Sequence, residues 1–360
     1  MEQINQLRDK LRPYLGWHGA RLSFVSLFLI ALFRAKTVNL AELATVCGGE
    51  VAIESHYKRM QRFFRSFELD LSQIAQVLVQ LADIPQPWVL SLDRTNWSFG
   101  QTQFNILMLG IVHQGIAFPL LWTMLDKRGN SNSDERMDLL ERFEVLFPDA
   151  QIAYLTADRE FLGKEWLSYL LIDKPIPFRI RIRQSDKICA GCGQRALASR
   201  QVFANLSVGE TRILSGRHWV WGRPVYVIGT RLQPTRKGDD DFLILITNHC
   251  PQQAVSDYAQ RWGIETLFGA LKTRGFCLES THFTDAHRLS KLLAVLAIAF
   301  VWAMKTGIWQ HKLRPIRLKS HRRRAKSLFR LGFDYLRSIL TNLDHKKPAF
   351  LDSLRFLSCT

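Results

Sequence analysis

Long apolar runs, paired cysteines and C-terminal acidic residues are all scarce in this 360-residue chain. The longest apolar stretch, Leu292 to Met304, falls short of the roughly 18 to 20 residues that cross a bilayer, so a buried helix is expected there and no membrane partner. The six cysteines are scattered, with a lone CxxC at Cys189 and Cys192. That excludes a secreted disulfide framework and makes reduced thiols the expectation. The opening MEQINQLRDKLRP has neither an apolar h-region nor a cleavage site, which argues against secretion and for a cytoplasmic protein. Between Asp285 and Asp334 there is no acidic residue, while twelve Lys or Arg fall in that interval.

What is abundant is positive charge. With 49 Lys plus Arg against 32 Asp plus Glu, the net charge of +17 favours a polyanionic partner, and nucleic acid leads the candidates. A hydrophobic fraction of 47% is ample for more than one core.

Residues 1–85 read as helical, because apolar positions recur at three- and four-residue spacing and glycine and proline are few. Within them, LAELATV (40–46), the break at Cys47-Gly48-Gly49 and SHYKRMQRFF (55–64) have the turn chemistry of a helix-turn-helix. Its second helix would present Lys58, Arg59 and Arg62 beside Ser55, His56 and Gln61, suited to phosphate contacts and some base readout. A helical hairpin with a solvated basic face fits the same residues.

Pro85-Gln86-Pro87 ends that pattern. Strands are expected at 88–96, 105–113 and 116–125, then a helix from Ser133 to about Phe147, a strand at 151–156, a helix near 164–172 and a strand at 178–183. Such an order predicts an α/β fold with a mixed, ribonuclease H-like sheet flanked by helices. From 185 to 241, short β-like stretches (VFANL, TRILS, HWVWG, PVYVIGTRL) separated by glycines predict an all-β insertion. The expected division is therefore a helical DNA-binding region (1–85), a catalytic domain in two parts (86–184 and 242–290), the insertion between them (185–241), and a basic helical C-terminal region (291–360).

Asp93 and Asp158 each end an apolar strand, where a carboxylate is costly to bury unless paired or bound to a cation. Neighbouring strands would put both at one sheet edge, as hard cations require. The segment YAQRWGIETLFGALK (258–272) places Tyr258, Arg261, Glu265 and Lys272 on one helical stripe, since each seven-residue step returns to within about 20°. Ile264, Leu267, Phe268 and Leu271 supply its docking face. An amphipathic helix with a plain Arg-Glu pair has the same pattern.

This tyrosine, arginine, glutamate, lysine spacing, the surrounding RW.IE..F..LK, the Asp93-Arg94-Thr95 strand end and the Asp158-Arg159-Glu160-Phe161 block together resemble the insertion sequence 4 family of bacterial DDE transposases over about residues 88–290. The resemblance implies that Asp93, Asp158 and Glu265 are catalytic and bind two Mg²⁺ ions, with Mn²⁺ able to substitute. It implies that Tyr258, Arg261 and Lys272 hold DNA phosphates. The substrates would be double-stranded DNA, namely terminal inverted repeats and target DNA, held by a homodimer in a synaptic complex associated with the nucleoid. A DNA hairpin intermediate is implied as well, with Trp219 or Trp221 of the insertion as the platform for a flipped base. The basic run containing Arg322, Arg323 and Arg324 would bind DNA backbone without sequence preference. Two other readings fit the composition: a ribonuclease H-like nuclease that never joins strands, and a domesticated DNA-binding protein without activity.

Overall fold

The protein is seen as a computed structural model that describes residues 2–191, 194–233, 240–320 and 324–358. Five helices come first: α1 (Glu2–Leu15), α2 (Gly19–Ala35), α3 (Leu40–Thr45), α4 (Ile53–Ser66) and α5 (Leu71–Ala82). Local side chains start several of them: Asn39 caps α3 by accepting from the Ala41 N–H, and Asp70 caps α5 by accepting from the Ser72 N–H. The helix α2 is apolar almost all round and is buried along most of its length, as such a helix must be.

After the prolines come β1 (Trp88–Phe99), β2 (Thr102–His113), β3 (Ile116–Met124), α6 (Ser133–Leu146), β4 (Ile152–Ala157), α7 (Lys164–Ser168) and β5 (Phe178–Arg181). Strand β1 is antiparallel to β2 and parallel to β4, and β4 is parallel to β5. The β1–β2 hairpin runs three residues further than the sequence suggests, to a turn at Gly100, whose φ of 57° suits glycine.

The region after β5 contains β6 (Lys187–Cys189), β7 (Leu197–Ala198), α8 (Ser199–Val202), β8 (Thr211–Ile213), β9 (His218–Val220), β10 (Arg223–Arg231) and β11 (Phe242–Thr247). Two expectations are corrected here. The stretch VFANL is not a strand: Val202 ends α8, and Phe203, fully buried, is its core anchor. Nor is the insertion a separate β module, because β10 pairs with β11 and β11 pairs with β5, giving one sheet in the order β3-β2-β1-β4-β5-β11-β10-β9-β6-β7.

The chain closes with α9 (Ala254–Tyr258), α10 (Trp262–Leu271), α11 (Ala286–Leu313), α12 (Leu328–Thr341) and α13 (Lys347–Leu354). Helix α11 is long and apolar enough to cross a membrane, but most of it is buried in the core. It meets α12 so closely that a Cβ on Gly332 would overlap the Ala303 carbonyl. One face of the sheet packs with α1–α5 and α10–α13 into a single core that runs from Leu7 to Leu357, while the other face packs on α6 and α7.

Candidate active site

Register brings the two aspartates together. Ser91 pairs with Thr156 and Leu92 with Ala157 across parallel β1 and β4. Side chains alternate along a strand, so the next positions on the Ser91/Thr156 face are Asp93 and Asp158, on strands about 4.8 Å apart. The face is the one that α10 covers, since Trp97, two positions on from Thr95, lies in the core cluster with Ile264 and Leu267.

The third group arrives on a broken helix. The expected continuous stripe is interrupted: α9 passes through a 3₁₀ turn at Ala259–Arg261 before α10 begins. Its four side chains still reach the same edge of the sheet. The Tyr258 hydroxyl donates to Asp158 Oδ1 at 3.2 Å. Arg261 donates from Nη1 to Asp93 Oδ2 at 3.3 Å and from Nη2 to Glu265 Oε1 at 2.6 Å. Lys272 caps α10, donates to the Asn96 carbonyl at 2.9 Å, pairs with Glu279 at 3.1 Å and lies over the Trp97 ring.

Electrostatics at this cluster are strained in the direction that cations relieve. Burial pushes the Asp93 carboxyl up to about 7, with Glu160 and Asp158 adding to the rise, against the Arg94 backbone N–H and the Arg261 guanidinium, which lower it. Burial also raises Tyr258 well above the ordinary phenol value. Arg261, itself buried, is held above its usual value by Tyr258, Asp158 and Glu265 despite the opposing cost of burial. A guanidinium thus supplies the positive charge between Asp93 and Glu265.

Among the described residues no ready-made group of three acidic, histidine or cysteine side chains is found, and Arg261 occupies the space between Asp93 and Glu265. The chemistry of the donor set nonetheless fits Mg²⁺: three carboxylates supply hard oxygen ligands, and the most buried of them is poorly stabilised as an anion without a cation beside it.

Several supporting residues escaped the sequence reading. Arg94, on the opposite face of β1 from Asp93, grips Glu160 through Nε and Nη2, both at 3.1 Å, and donates further to Asn105 and Asn130. Buried Arg136 donates to the carbonyls of Ser131, Glu160 and Leu162 and lies over the Phe161 ring. Arg159 pairs with Asp240 at 2.9 Å. The Asp158 loop is therefore held from three sides. Trp262, 63% exposed, projects beside Arg261, its centroid 5.7 Å from the guanidinium carbon.

Other candidates lie elsewhere. Lys58 and Arg62 are exposed on α4, and Lys58 pairs with Glu54. Arg59 lies over the Phe24 ring and donates to the Ala20 carbonyl while staying exposed, whereas His56 is buried and is not free to read a base. Trp219 and Trp221 are exposed on the β9–β10 hairpin; Trp221 adopts φ 50° beside Gly222 at 73°, as a two-residue hairpin turn requires. That hairpin meets Lys164 and Ser168 of α7, and Trp219 pairs in register with Cys189 of β6. Arg324 lines a cavity with Gln114 and Gly115, at the end of β2 opposite Asp93. Arg322 and Arg323 lie outside the described residues.

Comparison with known proteins follows the same lines. No curated protein matches the chain. Among solved structures, the cryo-EM structure of a piggyBac transposase synaptic complex with hairpin DNA is similar at 13% identity, covering 100% of this chain and 83% of that one with a TM-score of 0.48. The model of the transposase DDE domain matches residues 84–302, a span that holds Asp93, Asp158 and Glu265 together with all of the sheet, and on that match the chain belongs to the transposase DDE domain family.

Proposed function

We propose that this DDE transposase carries out cut-and-paste transposition, cleaving DNA at transposon ends and joining them to target DNA with Asp93, Asp158 and Glu265 as its catalytic carboxylates. The observation that carries the proposal is the convergence at one sheet edge: Asp93 and Asp158 share a face of neighbouring strands, and Arg261 ties Asp93 to Glu265. The order β3-β2-β1-β4-β5, with only β2 antiparallel to both of its neighbours, supports a ribonuclease H-like catalytic domain.

Asp93, Asp158 and Glu265 would hold Mg²⁺, whose chemistry when bound is to activate a water or 3′-hydroxyl and to stabilise the leaving oxygen. The chain's own work is placement. Tyr258 orients the Asp158 carboxylate through its hydroxyl. Arg261, a planar fork that can engage two phosphate oxygens, and Lys272, a point charge, line the approach to the carboxylates and suit the flanking phosphates. The Arg94 and Arg136 networks fix the loop that carries Asp158. Lys58 and Arg62 on α4 would add contacts to duplex DNA. A homodimer that holds two ends, and a hairpin intermediate, belong to the proposal on the family resemblance.

The test is incubation of purified protein with Mg²⁺, DNA bearing the flanking inverted repeats and a target plasmid. Joined products are the expected result. Cleavage without joining would show a nuclease, and a mobility shift without either would show a binding protein. Glu265→Gln should abolish cleavage and leave end binding largely intact; normal cutting by this variant would refute the carboxylate assignment.

A further inference from the structure

Away from the carboxylates, a cavity of about 300 Å³ opens where the helix-turn-helix candidate meets the start of α11. Its walls include Arg65, Tyr57 and Gln61 of α4, Asn39 before α3, and His282 and Arg288 from the segment leading into α11. No acidic side chain lines it. Neither the Arg65 nor the Arg288 guanidinium has a hydrogen-bond or ion-pair partner among the described residues, and both are exposed. Of the carboxylates near its rim, Asp285 caps α11 by accepting from the Arg288 backbone N–H at 2.7 Å, and Glu68 is engaged by His287 at 3.3 Å and Lys291 at 3.5 Å. That clasp ties the end of α4 to the first turns of α11 and so holds two like charges at one opening.

Two exposed guanidiniums at one opening, neither paired with a carboxylate, present a positive potential that attracts an anion. We propose that this cavity is a seat for a backbone phosphate of duplex DNA, engaged by Arg65 and Arg288 at the junction of the N-terminal helices with α11. The inference rests on the DNA-processing reading of the carboxylate site. Position supports it. Strand β1 leads from that site to this one: Arg261 reaches Asp93, Lys272 lies over Trp97, and His282 stacks on Phe99, centroid to centroid 5.3 Å. Six residues separate Asp93 from Phe99, roughly 20 Å of strand, which is shorter than the ~34 Å of one duplex turn. One duplex could therefore touch both sites, and the volume takes a phosphodiester together with several waters.

The experiment compares full-length wild type with Arg65→Gln/Arg288→Gln and with Arg65→Lys/Arg288→Lys. Duplex affinity is measured against salt concentration, and thermal melting checks the fold. Losing one phosphate contact should reduce the slope of log K against log[salt] by about 0.9 in the Gln variant, and the Lys variant should keep the wild-type slope. On inverted-repeat DNA, a scan of single neutral methylphosphonates across the duplex turn beside the reacting phosphate should find a position that weakens wild type and leaves the Gln variant unaffected. An unchanged slope and scan in the Gln variant, with cleavage by wild type intact, would overturn the cavity assignment alone. Equal loss in the Lys and Gln variants would overturn it in favour of a packing role. Failure of wild type to bind any duplex would overturn both this seat and the proposed function.

Discussion

Replacing Glu160 by Gln should loosen the Asp158 loop more than its partly exposed position suggests. The carboxylate accepts two parallel hydrogen bonds from Arg94, each 3.1 Å long, and its own backbone carbonyl is held by Arg136. A hydrogen bond to a charged group contributes about 1.5 to 3 kcal/mol, so two would give at least about 3 kcal/mol. The side chains are 12% and 22% exposed, and that solvent screens the pair. After that discount, roughly 2 kcal/mol of coupling remains. A double-mutant cycle with Arg94→Met and Glu160→Gln, read by urea unfolding, measures it. Additivity of the two changes within about 0.5 kcal/mol would refute the argument. The functional arm is cleavage rate at saturating DNA: Glu160→Gln should cut more slowly with end affinity unchanged, because it displaces Asp158 and touches no proposed DNA contact.

The raised Asp93 carboxyl makes stability pH-dependent in a chelator: its folded value near 7 exceeds the usual carboxylate value, so its stabilising share is whole below about pH 4 and is lost as pH rises through 7. Asp93→Asn should remove most of that slope, worth on the order of 4 kcal/mol, in urea melts across pH 4 to 8. An equal slope in the variant would show that other groups carry it. Gly332→Ala should cost at least about 2 kcal/mol by forcing α12 off the Ala303 carbonyl, seen as a lowered denaturant midpoint. Tyr258→Phe should slow cleavage while leaving the melting temperature within a few degrees, since only the hydroxyl bond to Asp158 is lost; a large stability loss would assign Tyr258 to the core.

The strands that alternate or run apolar were legible in the sequence, and so was the spacing of Tyr258, Arg261, Glu265 and Lys272. Strand β10 was legible as a strand but not as part of the catalytic sheet, because the charged sequence between it and β11 reads as the end of the insertion while the pairing of β11 with β5 is long-range. Phe203 was misread with its neighbours, since VFANL has the composition of a strand and tertiary packing decided otherwise. Arg94 and Glu160 stand 66 residues apart, so nothing short-range marks them as a pair. Trp262 did leave a signal: it falls outside the stripe formed by Ile264, Leu267, Phe268 and Leu271, and an aromatic off the docking face of a helix is exposed. His56 shows the converse error, in which a basic helix read as a solvated face sends one side chain inward.

Helices from both ends of the chain wall the same hydrophobic interior, with Leu7 and Leu357 in one cluster around α11. A shortened copy started downstream of α2 would leave that interior open to water, so the first two helices and the last ones are needed together for the same core.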